Sequence, residues 1–441
     1  MNRMIVAILG GGLAGLSAAY HLNNSNYFIL EKEGQAGGLC RSVQTKGYTF
    51  DYAPHIFYTQ NDYVLSLVNK LLGNNLIKQD RRAYIYLRDV YVKYPFEANL
   101  SVLSEDVISE CIDGVLNREK KEPQNFKEWT YVTFGRGIAE NYFIPYNEKT
   151  WKYDLSKMSL DWISGRVPAP TVEEIKKGAS GKQDKEFGPN AQFFYPKIGG
   201  IGAVVNSFSN KLRLSLNSRV TRIKNKKDEL EIKYEKDGKM KKMVVKYVVS
   251  SLPLPEIIKI FDNVPEKVVK ASESLVHNSL VCINIGIKRA GISDKHWIYF
   301  PEKKFIFNRI SFPMNFSSFT VPKGRSSILV EVTCEKNREV NMERIKEQVI
   351  EGLIEADILK KNDEIEVCDA FYFKYAYVIY DLQYKKNVEM VHNFLKYNNI
   401  IPIGRFGEWE YFNMDKTILS GKNAVDKLKE NYEVLENKES T

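Results

Sequence analysis

At 441 residues, with 44% hydrophobic and 27% charged positions, the chain has the makings of about two or three folded domains and not of a disordered polymer. Its 64 basic and 55 acidic residues leave a net charge of +9, mild for this size and concentrated in solvated stretches such as KNKK at 224–227 and KMKKMVVK at 239–246. That excess argues against a nucleic-acid partner and for an anionic small molecule.

No apolar run approaches the ~20 residues of a membrane span. The scattered cysteines, Cys40, Cys111, Cys282, Cys334 and Cys368, have no CxxC pairing and no histidine at ligand spacing. They read as free thiols of a cytoplasmic protein, with no metal site and no membrane partner.

Taken in order, the chain begins with IVAILGGGLAGLSAAYHLNNSNYFILE at 5–31. A short apolar strand runs into G-x-G-x-x-G, with Gly10, Gly12 and Gly15 in the glycine places, and a helical pattern follows. A second strand ends in Glu31, whose carboxylate suits the hydroxyls of a ribose. This is a βαβ dinucleotide fingerprint, with the pyrophosphate at the helix N-terminus. The basic, apolar start looks like a signal peptide, but the fingerprint accounts for it better.

The next turn, GQAGGLCRS at 34–42, adds Gly37, Gly38, Arg41 and Ser42. It resembles the G-G-x-x-R-[ST] continuation of the FAD-binding class that holds amine oxidases, protoporphyrinogen oxidases and UDP-galactopyranose mutases. That resemblance implies FAD in preference to NAD, with Gly38, Arg41, Val220, Gly404 and Asp415 joining the fingerprint residues around it.

KGYTFDYAPHIFYT at 46–59 alternates enough for a returning strand and carries Asp51 and His55. Residues 81–99 predict a strand pair with a tight Arg88-Asp89 turn. From 100 to about 163 the pattern is helical. The polar stretch 176–190 predicts a mobile loop. Gly199, Gly200 and Gly202 precede a helix, followed by a β-meander over 218–223, 229–234 and 243–250. Residues 275–335 are strand-rich, 342–358 form an amphipathic helix, and 400–428 read as strand, loop and helix.

The expected fold is α/β: a discontinuous Rossmann-like FAD-binding domain over 1–80, 191–260 and 399–441, interrupted by a mainly helical insertion over 81–190 and an antiparallel-sheet substrate domain over 261–398.

The blocks YPF at 94–96, PYNEKTWK at 145–152, GRVPAP at 165–170, FYPKIGGIG at 194–202 and GRFGEWEYFNMD at 404–415 occur in the order found in UDP-galactopyranose mutases of the eukaryotic type. The chain is similar to that branch over nearly its whole length. The resemblance implies an isomerase with no net redox change, interconverting pyranose and furanose forms of a nucleotide sugar for surface polysaccharide synthesis. Reduced flavin attacks the anomeric carbon, the diphosphate leaves, and it returns once the ring has closed anew. NAD(P)H is the expected reductant, and the state is either monomeric or homo-oligomeric.

Carried over residue by residue, the resemblance puts Arg309 and Arg405 on the diphosphate and Arg166 and Arg81 near flavin and substrate. Tyr377, Tyr411 and Asn413 are implied around the phosphates, Asn147 and Trp151 at the sugar, and Tyr94 and Phe96 against the base. His55 matches a flavin-adjacent histidine, although a lone histidine is more often a satisfied packing group.

Two segments depart from the family. Ala53-Pro54 and Gln60 flank His55 where glycines and a second histidine are usual, which leaves the sugar open. Glu97 replaces a uracil-reading glutamine. An ionised carboxylate only accepts hydrogen bonds, so it suits guanine's paired donors and a GDP-linked sugar better than a UDP-linked one; a surface Glu97 making no base contact is the other reading. The alternative function is an FAD-dependent oxidoreductase of the protoporphyrinogen or amine oxidase kind, whose cavity would be apolar or amine-receiving instead of cationic.

Overall fold

The computed structural model describes residues 5–439 apart from 24–25, 164–165, 184, 186, 189–190, 211 and 228. Its first unit is the expected one: β1 (Ile5–Leu9), α1 (Leu13–Leu22) and β2 (Asn26–Leu30). β1 and β2 pair in parallel inside a five-stranded sheet completed by Leu214–Ser215, Tyr247–Ser250 and Ile400–Pro402. Every pairing in this sheet is parallel, so its central strands are apolar on both faces, with Val6, Ile8 and Val249 buried on one and Ala7, Leu9 and Val248 on the other.

Almost all of α1 is buried, because the sheet lies on one side and the helix Met414–Glu439 on the other. Small residues let the two helices approach: Ser17 Oγ donates to Ile418 O at 2.7 Å, and a Cβ on Gly421 would stand 2.5 Å from Ala14 O.

The larger sheet has seven strands, in the order Ile365–Phe373, Ser279–Ile287, Ser326–Cys334, Arg309–Ser311, Trp297–Tyr299, Ala83–Leu87 and Val90–Lys93. It is antiparallel except where Trp297–Tyr299 meets Ala83–Leu87. The hairpin turn falls at Arg88 and Asp89, both at positive φ, and the hairpin extends this sheet. Side chains alternate along the strands. Val281, Ile283, Val330 and Val332 pack on one face under the helix Met342–Glu355, while Cys282 and Glu331 lie on the other.

Between the sheets the chain is helical over 105–116 and 126–151. The helix Ile144–Trp151 is tied to the large sheet by Thr333 Oγ1 donating to Lys149 O (2.6 Å) and Asn278 Nδ2 donating to Thr150 O (2.8 Å).

Two expectations change. The run 243–250 is not one strand: Lys239–Val245 closes the meander and Tyr247–Ser250 enters the parallel sheet, because an apolar run satisfies either partner and only tertiary position divides it. The expected loop over 176–190 starts inside the helix Val172–Ala179, fixed by a Thr171/Glu174 capping box, and part of it (184, 186, 189 and 190) lies outside the described residues. Among the described residues no helix is long and apolar enough to cross a membrane.

Candidate active site

A single cavity of about 1570 Å³ is lined by both glycine turns, by the helix Ile144–Trp151, by the free face of the seven-stranded sheet and by the segment 403–417. Two elements of the first turn explain its shape. Gly10 sits at φ +95°, a conformation side chains rarely adopt, and Gly15 lets α1 press on the strand, since a Cβ there would lie 2.0 Å from Gly10 O. At Gly12, by contrast, nothing crowds a Cβ more closely than Gly38 Cα at 4.0 Å, and no side chain caps the helix end. Open space over uncapped N–H groups is what a pyrophosphate requires.

Glu31 stands on the same wall, 7% exposed. It accepts from Gly11 N at 2.6 Å and Glu33 N at 2.9 Å, and a carboxylate has lone pairs to spare for ribose hydroxyls. Gly38, Arg41, Val220, Gly404 and Asp415 line the cavity with it, Arg41 lying over the Tyr52 ring at 4.4 Å. The residues present thus fit a flavin dinucleotide. Gly15 does not reach the cavity; its part is the helix–strand packing.

Arg166, Arg309, Arg405, Tyr377 and Tyr411 face the same space. Two guanidinium groups lie against the Tyr411 ring, Arg405 at 5.1 Å and Arg166 at 5.3 Å from its centroid. Arg405 donates through Nε and Nη2 to Phe412 O (2.8 and 2.6 Å). Arg166 donates to Trp162 O (2.5 Å) and Tyr411 O (3.0 Å). Carbonyls orient these cations without neutralising them, and among the described residues neither has a carboxylate partner in ion-pair range. Asn413 lies on the rim, exposed, at the start of the helix Met414–Glu439.

His55 lies beside this cluster. Its Nδ1 is 2.7 Å from Ala53 O, and since a carbonyl only accepts, Nδ1 carries the proton and Nε2 is left as an acceptor. Burial first and the Arg405 charge second hold its pKa down to about 4, so the ring is neutral at pH 7.

Asn147 and Trp151 share one helix face as their spacing requires. Trp151 Nε1 donates to Asn147 Oδ1 at 2.8 Å, and Asn147 Nδ2 donates to Phe143 O at 2.8 Å. The Trp151 ring meets Tyr377 and Tyr411 edge-on.

Two residues do not join the cavity. Phe96 is fully buried and stacks behind Tyr142; in the turn Phe96–Ala98 it points into the core, and Tyr94 alone of the pair lines the cavity. Arg81 is buried beneath Tyr94, 4.8 Å from the ring, and donates to Phe187 O at 2.6 Å. It supports the aromatic wall from behind.

Sequence reasoning missed Glu331 and the tyrosines 142 and 146. Glu331 is 1% exposed, sits directly opposite Arg309 across the strands, and holds that guanidinium through both carboxylate oxygens. The signal was present: one acid inside the apolar run SSILVEVT. The tyrosines left none, being two of many aromatics until the fold stacks Tyr142 on Tyr146 and sets Tyr146 edge-on to Tyr299.

Glu97 also lines the cavity, 1% exposed, and neither carboxylate oxygen has a hydrogen-bond partner among the described residues. This removes the solvent-exposed alternative. Burial pushes its pKa up to about 8. A carboxyl whose folded pKa exceeds its unfolded one gives stability that is complete below the unfolded value and is lost as pH rises through the folded one. The thermal stability of Glu97→Gln should therefore gain on the parent by roughly 2 to 3 kcal/mol between pH 6 and pH 9, as measured by denaturant unfolding at each pH; a constant difference would place Glu97 in contact with water.

A family model for flavin containing amine oxidoreductases matches residues 13–428. Curated relatives include a probable UDP-galactopyranose mutase of Klebsiella pneumoniae, 25% identical over 177 residues (38% of this chain, 46% of that one). A dTDP-fucopyranose mutase of Escherichia coli is 26% identical over 210 residues (46% of this chain, 51% of that one). The matches thus span about half the length of these relatives. The crystal structure of a reduced UDP-galactopyranose mutase superposes with a TM-score of 0.90 at 26% identity, over 97% of this chain and 94% of that one. With the dinucleotide turn, the uncapped α1 and the cationic cavity in one place, the chain belongs to the family of flavin-containing amine oxidoreductases and is, within it, a UDP-galactopyranose mutase-like flavoprotein.

Proposed function

We propose that this flavoprotein is a cytoplasmic nucleotide-sugar mutase, interconverting the pyranose and furanose forms of a nucleoside-diphosphate sugar for surface polysaccharide synthesis, with FAD kept reduced by NAD(P)H. The observation that carries this reading is the pair Arg166 and Arg405, without an ion-pair partner among the described residues and both against Tyr411 in the cavity that also contains the dinucleotide turn.

Reduced FAD supplies a ring nitrogen able to attack an anomeric carbon. Gly10, Gly12 and the N-terminus of α1 hold its pyrophosphate, Glu31 its ribose, and Gly38, Arg41, Val220, Gly404 and Asp415 complete the cradle.

The chain's own part is to keep the departing diphosphate within reach. Arg405 and Arg166 supply net positive charge, with the Tyr377 and Tyr411 hydroxyls as further donors and Asn413 at the rim. Arg309 shares its charge with Glu331, so its contribution is direction: the pair fixes one guanidinium edge and leaves the other for the ligand. Neutral His55 offers Nε2 as an acceptor. Asn147 and Trp151 position the sugar, and the aromatic packing around Trp151 keeps water from the opened ring. Arg81 and Phe96 act from behind the wall by holding Tyr94 and Tyr142.

Two assays on one sample test this. Purified yellow protein, reduced by dithionite or NAD(P)H, should convert a nucleotide pyranose to its furanose without consuming reductant stoichiometrically, and the oxidised protein should be inert. Hydrogen peroxide formed in proportion to an oxidised donor would replace the mutase by the oxidoreductase reading.

A further inference from the structure

From the arginine cluster a run of neighbouring cavity-lining side chains leads to Glu97. Tyr377 and Arg309 are electrostatically coupled, as are Arg309 and Tyr146. Tyr146 stacks on Tyr142 with ring centroids 5.5 Å apart, and Tyr142 and Tyr94 both feel Glu97. A ligand anchored by its phosphates at the arginines and extending along this wall reaches Glu97 among tyrosines.

That side chain is a carboxyl with two unpartnered oxygens. Its surroundings do not favour a negative charge. The titratable groups facing it are phenols: Tyr94 on its own segment and Tyr142 from the helical segment, with Tyr146 and Tyr299 beyond them. The helix Val172–Ala179, packed on the same turn, buries Ile175 and Gly178 and turns Glu173, Lys176 and Lys177 to solvent. The helix Phe126–Ile138 buries Thr130 and Phe134 and exposes Arg136. The neighbouring guanidinium groups are directed elsewhere, Arg81 to Phe187 O and Arg166 to Trp162 O and Tyr411 O. The one group that favours the anion is the residue's own backbone N–H, outside hydrogen-bond geometry. Desolvation without a counter-charge selects the neutral acid.

A neutral carboxyl is a different reader from a carboxylate. It has one O–H donor beside one C=O acceptor, the same pair that a primary amide presents. The substitution of an acid for an amide at this position therefore does not by itself exchange uracil for guanine. We propose that Glu97 works as a neutral carboxylic acid that reads the adjacent donor and acceptor of a uracil or thymine edge, its O–H donating to a base carbonyl and its C=O accepting from N3–H, so that ionisation of Glu97 releases the nucleotide. Guanine's N1–H and N2–H2 donor pair would require the anion, which the aromatic enclosure opposes, but its O6 and N1–H present the same acceptor and donor as uracil, so the neutral acid sets the pH dependence of binding and not the choice of base.

This rests on the nucleotide-sugar reading above and adds to it how the base is held. It is tested by calorimetric titration of the FAD-loaded protein with UDP, dTDP and GDP from pH 6.5 to 9, alongside Glu97→Gln. UDP or dTDP affinity should fall about tenfold between pH 7 and pH 9, the range over which a carboxyl titrating near 8 loses its proton. Glu97→Gln should bind UDP as tightly as the parent does at pH 7 and show no such fall. An affinity for UDP independent of pH in the parent, or a fall of equal size in the variant, would overturn the role given to Glu97 while leaving the mutase reading in place. GDP binding more tightly than UDP, and more so as pH rises, would overturn it in favour of the anion. Failure of all three nucleotides at every pH would remove both the inference and the nucleotide-sugar reading. Retained flavin absorbance and melting temperature certify that the variant is folded.

Discussion

Arg405→Ala should leave the protein yellow and folded, yet weaken UDP binding by about 2 to 5 kcal/mol, the usual consequence of deleting one member of a desolvated, hydrogen-bonded charge contact. Arg405 bonds to Phe412 O and lies against Tyr411, so its positive charge is both oriented and unopposed. Turnover should fall at least as far, because a diphosphate that escapes cannot return to the sugar. Calorimetry with UDP gives the binding term, and product analysis after reduction gives the rate. Arg405→Lys separates charge from geometry: an ammonium restores attraction but not the planar fork, so it should recover part of the affinity and little of the turnover. Unchanged UDP affinity in Arg405→Ala would place the phosphates away from Tyr411 and remove the main support for the mutase reading.

Gly15→Ala should abolish flavin binding altogether. The added methyl would lie 2.0 Å from Gly10 O and 3.2 Å from Ile8 Cγ2, and the first of these is backbone that cannot turn aside. α1 must then lift from the sheet, at a cost of at least about 1 to 3 kcal/mol for overpacking alone, and its N–H groups lose their aim at the pyrophosphate. The variant should purify colourless and melt below the parent. Absorbance near the flavin band relative to protein, before and after incubation with excess FAD, decides the matter: a normal ratio would show that the helix does not define the phosphate site.

How far the sequence disclosed this molecule depends on the range of the interactions involved. The βαβ unit, the Arg88-Asp89 hairpin turn and the shared face of Asn147 and Trp151 are fixed by neighbours within a few residues, so spacing and residue type were enough. The cationic centre is different. Arg166, Arg309 and Arg405 come from three distant segments, and nothing local shows that Arg309 is paired while the other two are not; that follows from the register that sets Glu331 opposite it. Phe96 and Arg81 illustrate the same limit from the other side, since a motif position does not say which face of a turn enters the core. Glu97 is the instructive residue. Its identity suggested an anion, and only burial without a counter-charge points to the neutral acid.

The contact between α1 and the helix Met414–Glu439 has a consequence for biosynthesis. Ala14 and Ser17 need Ile418 and Gly421 against them, so the helix α1 waits for residues some 400 positions further on, roughly 20 to 80 s later at ordinary ribosomal speed. Over that interval of translation one flank of α1, apolar and built to be covered, stays open to solvent.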